Sequence, residues 1–285
     1  MSIYVWKDSW PLCFTAEQAN STVQLTQNWT PTSVSLETST DWNTWSSYTI
    51  GDTITLSNVW DKVYWRNTST TDTGLNIDSS NRYQFVMSWS IAWSWDTTTL
   101  LNKNWTDTLS LSCFSLLFFS CKSLISSPEL PATTLADSCY SQMFYWCTNL
   151  VTPPELPATT LAYWCYEQMF YSCTALTTPP KLSSTTPAVY CYSAMFRWCT
   201  NLETLPKLPA TTLADNCYST MFMGCSKIKL SSSKTWDYQT AYRIPTTWTG
   251  TTWTNSLYRM FYQTWWTFTW TPSINTTYYT SNTVV

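Results

Sequence analysis

The chain has 285 residues, room for two ordinary domains or for one domain and an array of repeats. Hydrophobic residues make up 44% and charged residues 11%, so Ser, Thr, Asn and Tyr must cover most of the surface. A net charge of -3 argues against a phosphate-neutralising role and hence against nucleic acid as a partner, and the absence of histidine removes His-based triads, most catalytic zinc sites and the commonest general base.

The opening residues, Met1-Ser-Ile-Tyr-Val-Trp-Lys-Asp-Ser-Trp-Pro, lack a basic stretch followed by an apolar one, so the sequence predicts no secretory signal. The strongest apolar run, around Leu116 to Phe119, is far too short to span a bilayer, so neither a transmembrane helix nor membrane insertion is expected. Residues 1–97 alternate apolar and polar in short runs, including Ser21-Thr-Val-Gln-Leu-Thr-Gln, Thr53-Ile-Thr-Leu and Lys62-Val-Tyr-Trp-Arg, separated by Asn, Asp and Ser turns. This predicts an all-β, sandwich-like domain. Residues 98–111 read as a linker that becomes a first, degenerate repeat.

Ten of the 11 cysteines fall at 113, 121, 139, 147, 165, 173, 191, 199, 217 and 225, giving a period of 26 residues over five units. Around them one frame returns, as in Leu130-Pro-Ala-Thr-Thr-Leu-Ala-Asp-Ser-Cys-Tyr-Ser-Gln-Met-Phe and Leu156-Pro-Ala-Thr-Thr-Leu-Ala-Tyr-Trp-Cys-Tyr-Glu-Gln-Met-Phe. Fixed self-similarity of this length is the mark of stacked repeats, which bury together a core that no single unit could form. Leu135, Cys139, Tyr140, Met143, Phe144, Cys147 and Leu150 are the expected core ladders. Cys139, Met143 and Cys147 recur at every fourth residue, which predicts a short helix, and Thr148 to Thr152 has strand-like composition before Pro153-Pro154. The fold class read from residues 98–230 is therefore a mixed α/β repeat solenoid, with one short helix and one short strand per unit. Residues 231–285 read as an atypical C-terminal cap, because Ser256-Leu-Tyr-Arg-Met-Phe echoes the frame with its cysteine replaced.

An odd cysteine count without a secretory signal predicts buried, reduced thiols rather than disulfides or a metal site. Glu129 and Glu155 share a repeat position with Lys181 and Lys207, as a solvated face would. With four glycines as written, no phosphate-cradling loop or nucleophile elbow is present.

Those four glycines contrast with 20 tryptophans, since glycine is roughly 7% of an ordinary protein. The tryptophans sit where turns want glycine: Asn28-Trp29, Asp41-Trp42, Val59-Trp60-Asp61, Asn104-Trp105 and the tract Thr247-Trp-Thr-Gly-Thr-Thr-Trp-Thr. One repeat position reads Ser120, Trp146, Ser172, Trp198 and Gly224, mixing small residues with the largest. Many of these tryptophans are therefore expected to come from a reassigned stop codon that the source reads as glycine. The competing reading is an aromatic surface that stacks on sugar rings. Trp45 and Trp65, in strand-like runs, are the expected true tryptophans.

The motif Cys-Tyr-x-x-Met-Phe-x-x-Cys-Thr-x-Leu, followed by Pro-x-Leu-Pro, resembles the leucine-rich repeats of BspA-like bacterial surface proteins, similar repeats of which occur in phages of gut bacteria. The resemblance covers Ser112 to about Leu230, with Met143 and its equivalents standing where the family usually has Ala. It implies a leucine-rich-repeat-like fold and an adhesion or protein-interaction role.

Recognition is expected from repeat positions that vary. Tyr145, Tyr171, Arg197 and Met223 form one such row, the candidate interaction face, and Ser138, Trp164, Tyr190 and Asn216 form another. The sequence thus predicts a non-catalytic adhesion or host-recognition protein without cofactor or metal, whose partner is a protein or glycan on a host or cell surface. A phage virion-surface or fibre-associated component is favoured over a bacterial cell-surface adhesin, a glycan-active enzyme is the remote alternative, and homo-oligomerisation stays open.

Overall fold

A computed structural model describes residues 11–29, 33–70, 74–94, 96–102, 108–245, 255–266, 271–274 and 276–285. The opening decapeptide, Asn104-Trp105 and the tract 247–254 lie outside the described residues.

Eight strands come first: β1 (Leu12–Ala16), β2 (Ser21–Asn28), β3 (Leu36–Ser39), β4 (Ser46–Ser47), β5 (Thr53–Leu56), β6 (Lys62–Asn67), β7 (Arg82–Ser88) and β8 (Ile91–Ser94). They make two antiparallel sheets, ordered β4-β3-β6-β1-β8 and β5-β2-β7. Strand β2 shows why. Ser21, Val23 and Leu25 are buried while Thr22, Gln24 and Thr26 are half-buried, so the period-two pattern gives one face to the core. Phe14 of β1 and Trp65 of β6 meet Phe85 of β7 edge-on at 4.9 and 5.2 Å, locking one sheet against the other.

The repeats are not what the cysteine spacing predicts. Among the described residues there is no α-helix; the one helical element is a 3-10 turn at Thr97–Leu100, capped by the Asp96 side chain. The mixed α/β repeat solenoid with a helix and a strand per unit is therefore overturned. The secondary structure is strand and turn, with short, mostly antiparallel sheets at the two ends. Between them each unit is a run of consecutive tight turns. The strand predicted near Thr148 to Thr152 reduces to a single parallel bridge, Ser126 to Thr152.

Backbone hydrogen bonding explains the difference. In residues 138–147 every second amide donates three residues back, as Met143 N does to Tyr140 O at 3.2 Å. The amides between them donate to the next unit instead, as Tyr140 N does to Cys165 O at 3.1 Å and Phe144 N to Met169 O at 3.0 Å. A helix would send all of them to the fourth residue back. Here Ser138, Gln142 and Trp146 take positive φ, 55°, 56° and 62°, and reset the chain direction every four residues. A four-residue turn repeat and an α-helix both return a side chain to the same face at i+4, so the apolar spacing alone does not separate them.

The stack is held by columns of buried side chains. Phe118, Phe144, Phe170, Phe196, Phe222 and Phe261 stack ring on ring at 5.4 to 5.8 Å, and Tyr140, Tyr166, Tyr192 and Tyr218 at 5.5 to 5.9 Å. Phe85 of β7 lies 5.3 Å from Phe118 with its plane only 5° away, so the phenylalanine column runs into the core between the first two sheets. The backbone follows it: Phe85 N donates to Leu117 O and Ile91 N to Ser123 O, both at 2.9 Å.

At the far end the echo in Ser256-Leu-Tyr-Arg-Met-Phe forms a further turn ribbon. Tyr218, Thr220, Phe222 and Gly224 amides donate to the carbonyls of Ser256, Tyr258, Met260 and Tyr262 at 2.8 to 2.9 Å. Short strands surround it: β9 (Thr204–Leu205), β10 (Lys229–Ser231), β11 (Thr240–Arg243), β12 (Trp265–Trp266), β13 (Thr277–Thr280) and β14 (Thr283–Val284). Strands β10 to β13 form one sheet, ordered β11-β13-β10-β12, and β14 runs parallel to β9.

Phe170 is fully buried between Phe144 and Phe196. Phe170→Ala is expected to cost about 3–5 kcal/mol in denaturant unfolding, because a closed column leaves a cavity that its neighbours cannot fill. Tyr171→Ala, one residue along on the half-exposed face, is expected to cost about 1 kcal/mol or less.

Candidate interaction face

Each four-residue turn begins with a residue at positive φ followed by two inward residues. In residues 138–147 the inward pairs are Cys139-Tyr140 and Met143-Phe144; Ser141 is buried as well, and Tyr145 is half-buried. Successive units superpose these positions, so the varying row named from the sequence becomes a physical row.

Tyr145 and Tyr171 stack face to face with centroids 4.4 Å apart and planes 9° apart. The Arg197 guanidinium lies over the other face of the pair, 5.5 Å from the Tyr171 centroid. Met223 continues the row, and all four side chains are half-buried. Three of the four, Tyr145, Tyr171 and Arg197, are in side-chain contact. The structure also adds two residues. Phe119 stacks on Tyr145 at 5.4 Å, and the Arg82 guanidinium of β7 sits 5.8 Å from the Phe119 ring. Phe119 was available from the sequence by carrying the 26-residue frame one unit back. Arg82 lies outside the frame, and no sequence signal marks it. In the second row, Trp164 and Tyr190 stack at 5.8 Å, and Tyr163 meets Trp164 edge-on.

Chemically the row presents edges rather than faces. Tyr145 is covered by Phe119 on one side and Tyr171 on the other, so a partner meets ring edges, phenol hydroxyls and a cation. Partial burial, followed by the neighbouring Tyr171 phenol, raises the Tyr145 pKa, keeping that hydroxyl a neutral donor. Arg197 makes no ion pair among the described residues.

Elsewhere the chemistry is closed off. All 11 cysteines are buried and unpaired, and burial pushes the thiols of Cys113, Cys165 and Cys217 up to about 12. Cys147, Cys173, Cys199 and Cys225 each donate their thiol to the carbonyl of a phenylalanine in the preceding unit at 2.9 to 3.1 Å. These are packed, inert groups. No cluster of metal-ligating side chains occurs among the described residues, and no helix there is long and apolar enough to cross a membrane. Glu129 and Glu155 are exposed on the rim of a proline-lined groove of about 370 Å³ that also includes Pro128, Pro131, Pro153 and Pro154.

Glu167 is half-buried at the repeat position that is buried serine, Ser141, Ser193 and Ser219, in other units. Burial there raises its carboxyl to about 7. The folded state then holds a proton that the unfolded chain releases near pH 4.3, so this group's contribution falls as pH rises from about 4 to about 7. Stability is expected to drop by on the order of 1–3 kcal/mol across that window, and Glu167→Gln to remove most of the drop in pH-dependent unfolding. With no histidine in the chain the window is free of imidazole titration.

Compared with models of known protein families, with curated proteins and with solved structures, the chain matches none.

Proposed function

We infer that the protein is a non-catalytic recognition module that binds a glycan on a host or cell surface through the row Phe119, Tyr145, Tyr171, Arg197 and Met223. The observation that carries this reading is the stacked, half-exposed ladder of Tyr145, Tyr171 and Arg197. Its rings are fixed by their neighbours before any ligand arrives, so binding orders little that is not already ordered. Its polar groups are a hydrogen-bonded pair of phenol hydroxyls, Tyr145 with Tyr171, and a guanidinium without a carboxylate partner among the described residues, which suit a hydroxyl- or carboxylate-rich polymer.

A linear polymer meets the same kind of group unit after unit along the stack, which is the use that repeat scaffolds make of their variable positions. The row serves a virion surface and a bacterial cell surface equally well. Catalysis has little support: the described thiols are buried, histidine is absent, and the paired carboxylates Glu129 and Glu155 stand exposed on a rim.

Purified protein on a panel of bacterial surface glycans is expected to retain at least one polymer without releasing sugar. Tyr145→Ala combined with Arg197→Ala is expected to lower that affinity at least tenfold while leaving the unfolding midpoint close to the parent's. Sugar release by the parent, or undiminished binding by the double variant, would sink the reading.

A further inference from the structure

Between residues 11 and 102, the described residues with positive φ are Asn20, Trp29, Trp42, Gly51, Trp60 and Trp89. Asn and Gly are the ordinary occupants of this backbone region, and a bulky side chain is the unusual one. Yet four of these six positions are tryptophan, with φ between 56° and 73°. The turns around them are otherwise well formed. The Asp41 carboxylate accepts the amides of Asn43 and Thr44 at 2.9 and 2.7 Å, and Trp60 N donates to Ala16 O at 2.7 Å.

Burial does not offset the strain at three of the four; Trp42 is half-buried and meets Tyr64 edge-on at 5.1 Å. Trp29, Trp60 and Trp89 are 77%, 66% and 56% exposed, so their indoles gain little from the core. Trp45 and Trp65 behave in the opposite way. Neither has positive φ; Trp65 is fully buried among Phe14, Tyr48 and Phe85, and Trp45 lies under the Arg66 guanidinium at 4.0 Å.

The repeats contain their own control. Trp146 and Trp198, at φ 62° and 63°, occupy the turn position that Gly224 fills at 78°. A Cβ built on Gly224 would collide with the Trp198 ring, so the column cannot hold large residues in adjacent units without repacking. Trp164 shares its column with Tyr190 at nearly the same φ and offers no such contrast.

We propose that Trp29, Trp42, Trp60, Trp89, Trp146 and Trp198 occupy glycine positions, and that the source of this gene decodes the corresponding codon as glycine, whereas Trp45 and Trp65 are tryptophan in the native protein. The glycine deficit and the tryptophan excess then have one cause. The recognition row changes as well: Trp146 packs 5.4 Å from Tyr145 and 6.0 Å from Phe119, and glycine there uncovers both ring edges.

The direct test is the mass of tryptic peptides of the protein from its natural source. Cleavage after Arg197 and Lys207 frees residues 198–207, and cleavage after Lys62 and Arg66 frees 63–66. The first peptide is expected to begin with glycine and the second to keep Trp65; tryptophan at 198 overturns the proposal. A second measurement needs no native material. The full chain carrying Trp→Gly at the six positions is expected to melt roughly 10 °C or more above the chain as written, since six strained turns are relieved. A lower melting temperature overturns the proposal, because tryptophans that do structural work cannot be removed together without loss.

Discussion

Everything in the repeat region depends on how its amides are divided between local turns and the next unit. A peptide group buried without a partner costs about as much as a lost hydrogen bond, so a unit of 26 residues must satisfy its amides within itself or on a neighbour. This chain does both in alternation. Local bonds close each turn; intervening bonds, such as Gln142 N to Glu167 O at 2.8 Å, run from unit to unit. Each unit therefore needs its neighbour for backbone saturation as well as for apolar burial. The strands at either end supply that neighbour, β7 and β8 on one side and the ribbon around Ser256 to Gln263 on the other.

The aromatic columns follow from that division. Hydrogen bonds between equivalent turns set the rise between units, and the rise sets the ring spacing of 5.3 to 5.9 Å along the phenylalanine and tyrosine columns. Rings at this separation stack offset and exclude water between units. Cysteine and methionine line the same interior where a small or adaptable side chain fills the gap beside them. The cysteine spacing that dominates the sequence is thus a packing rule. Among the described residues the thiols are buried and form neither a disulfide nor a metal-ligating cluster.

Much of this was legible in the sequence, and the part that was not has a definite physical origin. Period and register gave the columns, and through them Tyr145, Tyr171, Arg197 and Met223 as neighbours. Helix was the wrong inference because Cys139, Met143 and Cys147 specify only a return every fourth residue, which a chain of turns satisfies equally. The clue that separates the two lies in the residues between: Ser138, Gln142 and Trp146 must adopt positive φ, and no apolar pattern reports φ. Arg82 was out of reach for another reason, since its place over Phe119 depends on how β7 joins the first unit.

The order of one residue at positive φ followed by two inward residues also decides where the units can vary. Inward positions are fixed by the columns: every unit from 139 to 225 keeps Cys, Tyr, Met, Phe and Cys. Positive-φ positions hold residues as different as Ser138, Leu116 and Tyr190, and the fourth position of the first turn is a buried serine in all but the unit with Glu167. The fourth position of the second turn has neither a buried side chain nor positive φ. There the chain places Phe119, Tyr145, Tyr171, Arg197 and Met223, side chains large enough to touch from unit to unit. The inward columns repeat closely while this row differs from unit to unit, which leaves its side chains free to change with little cost to the core.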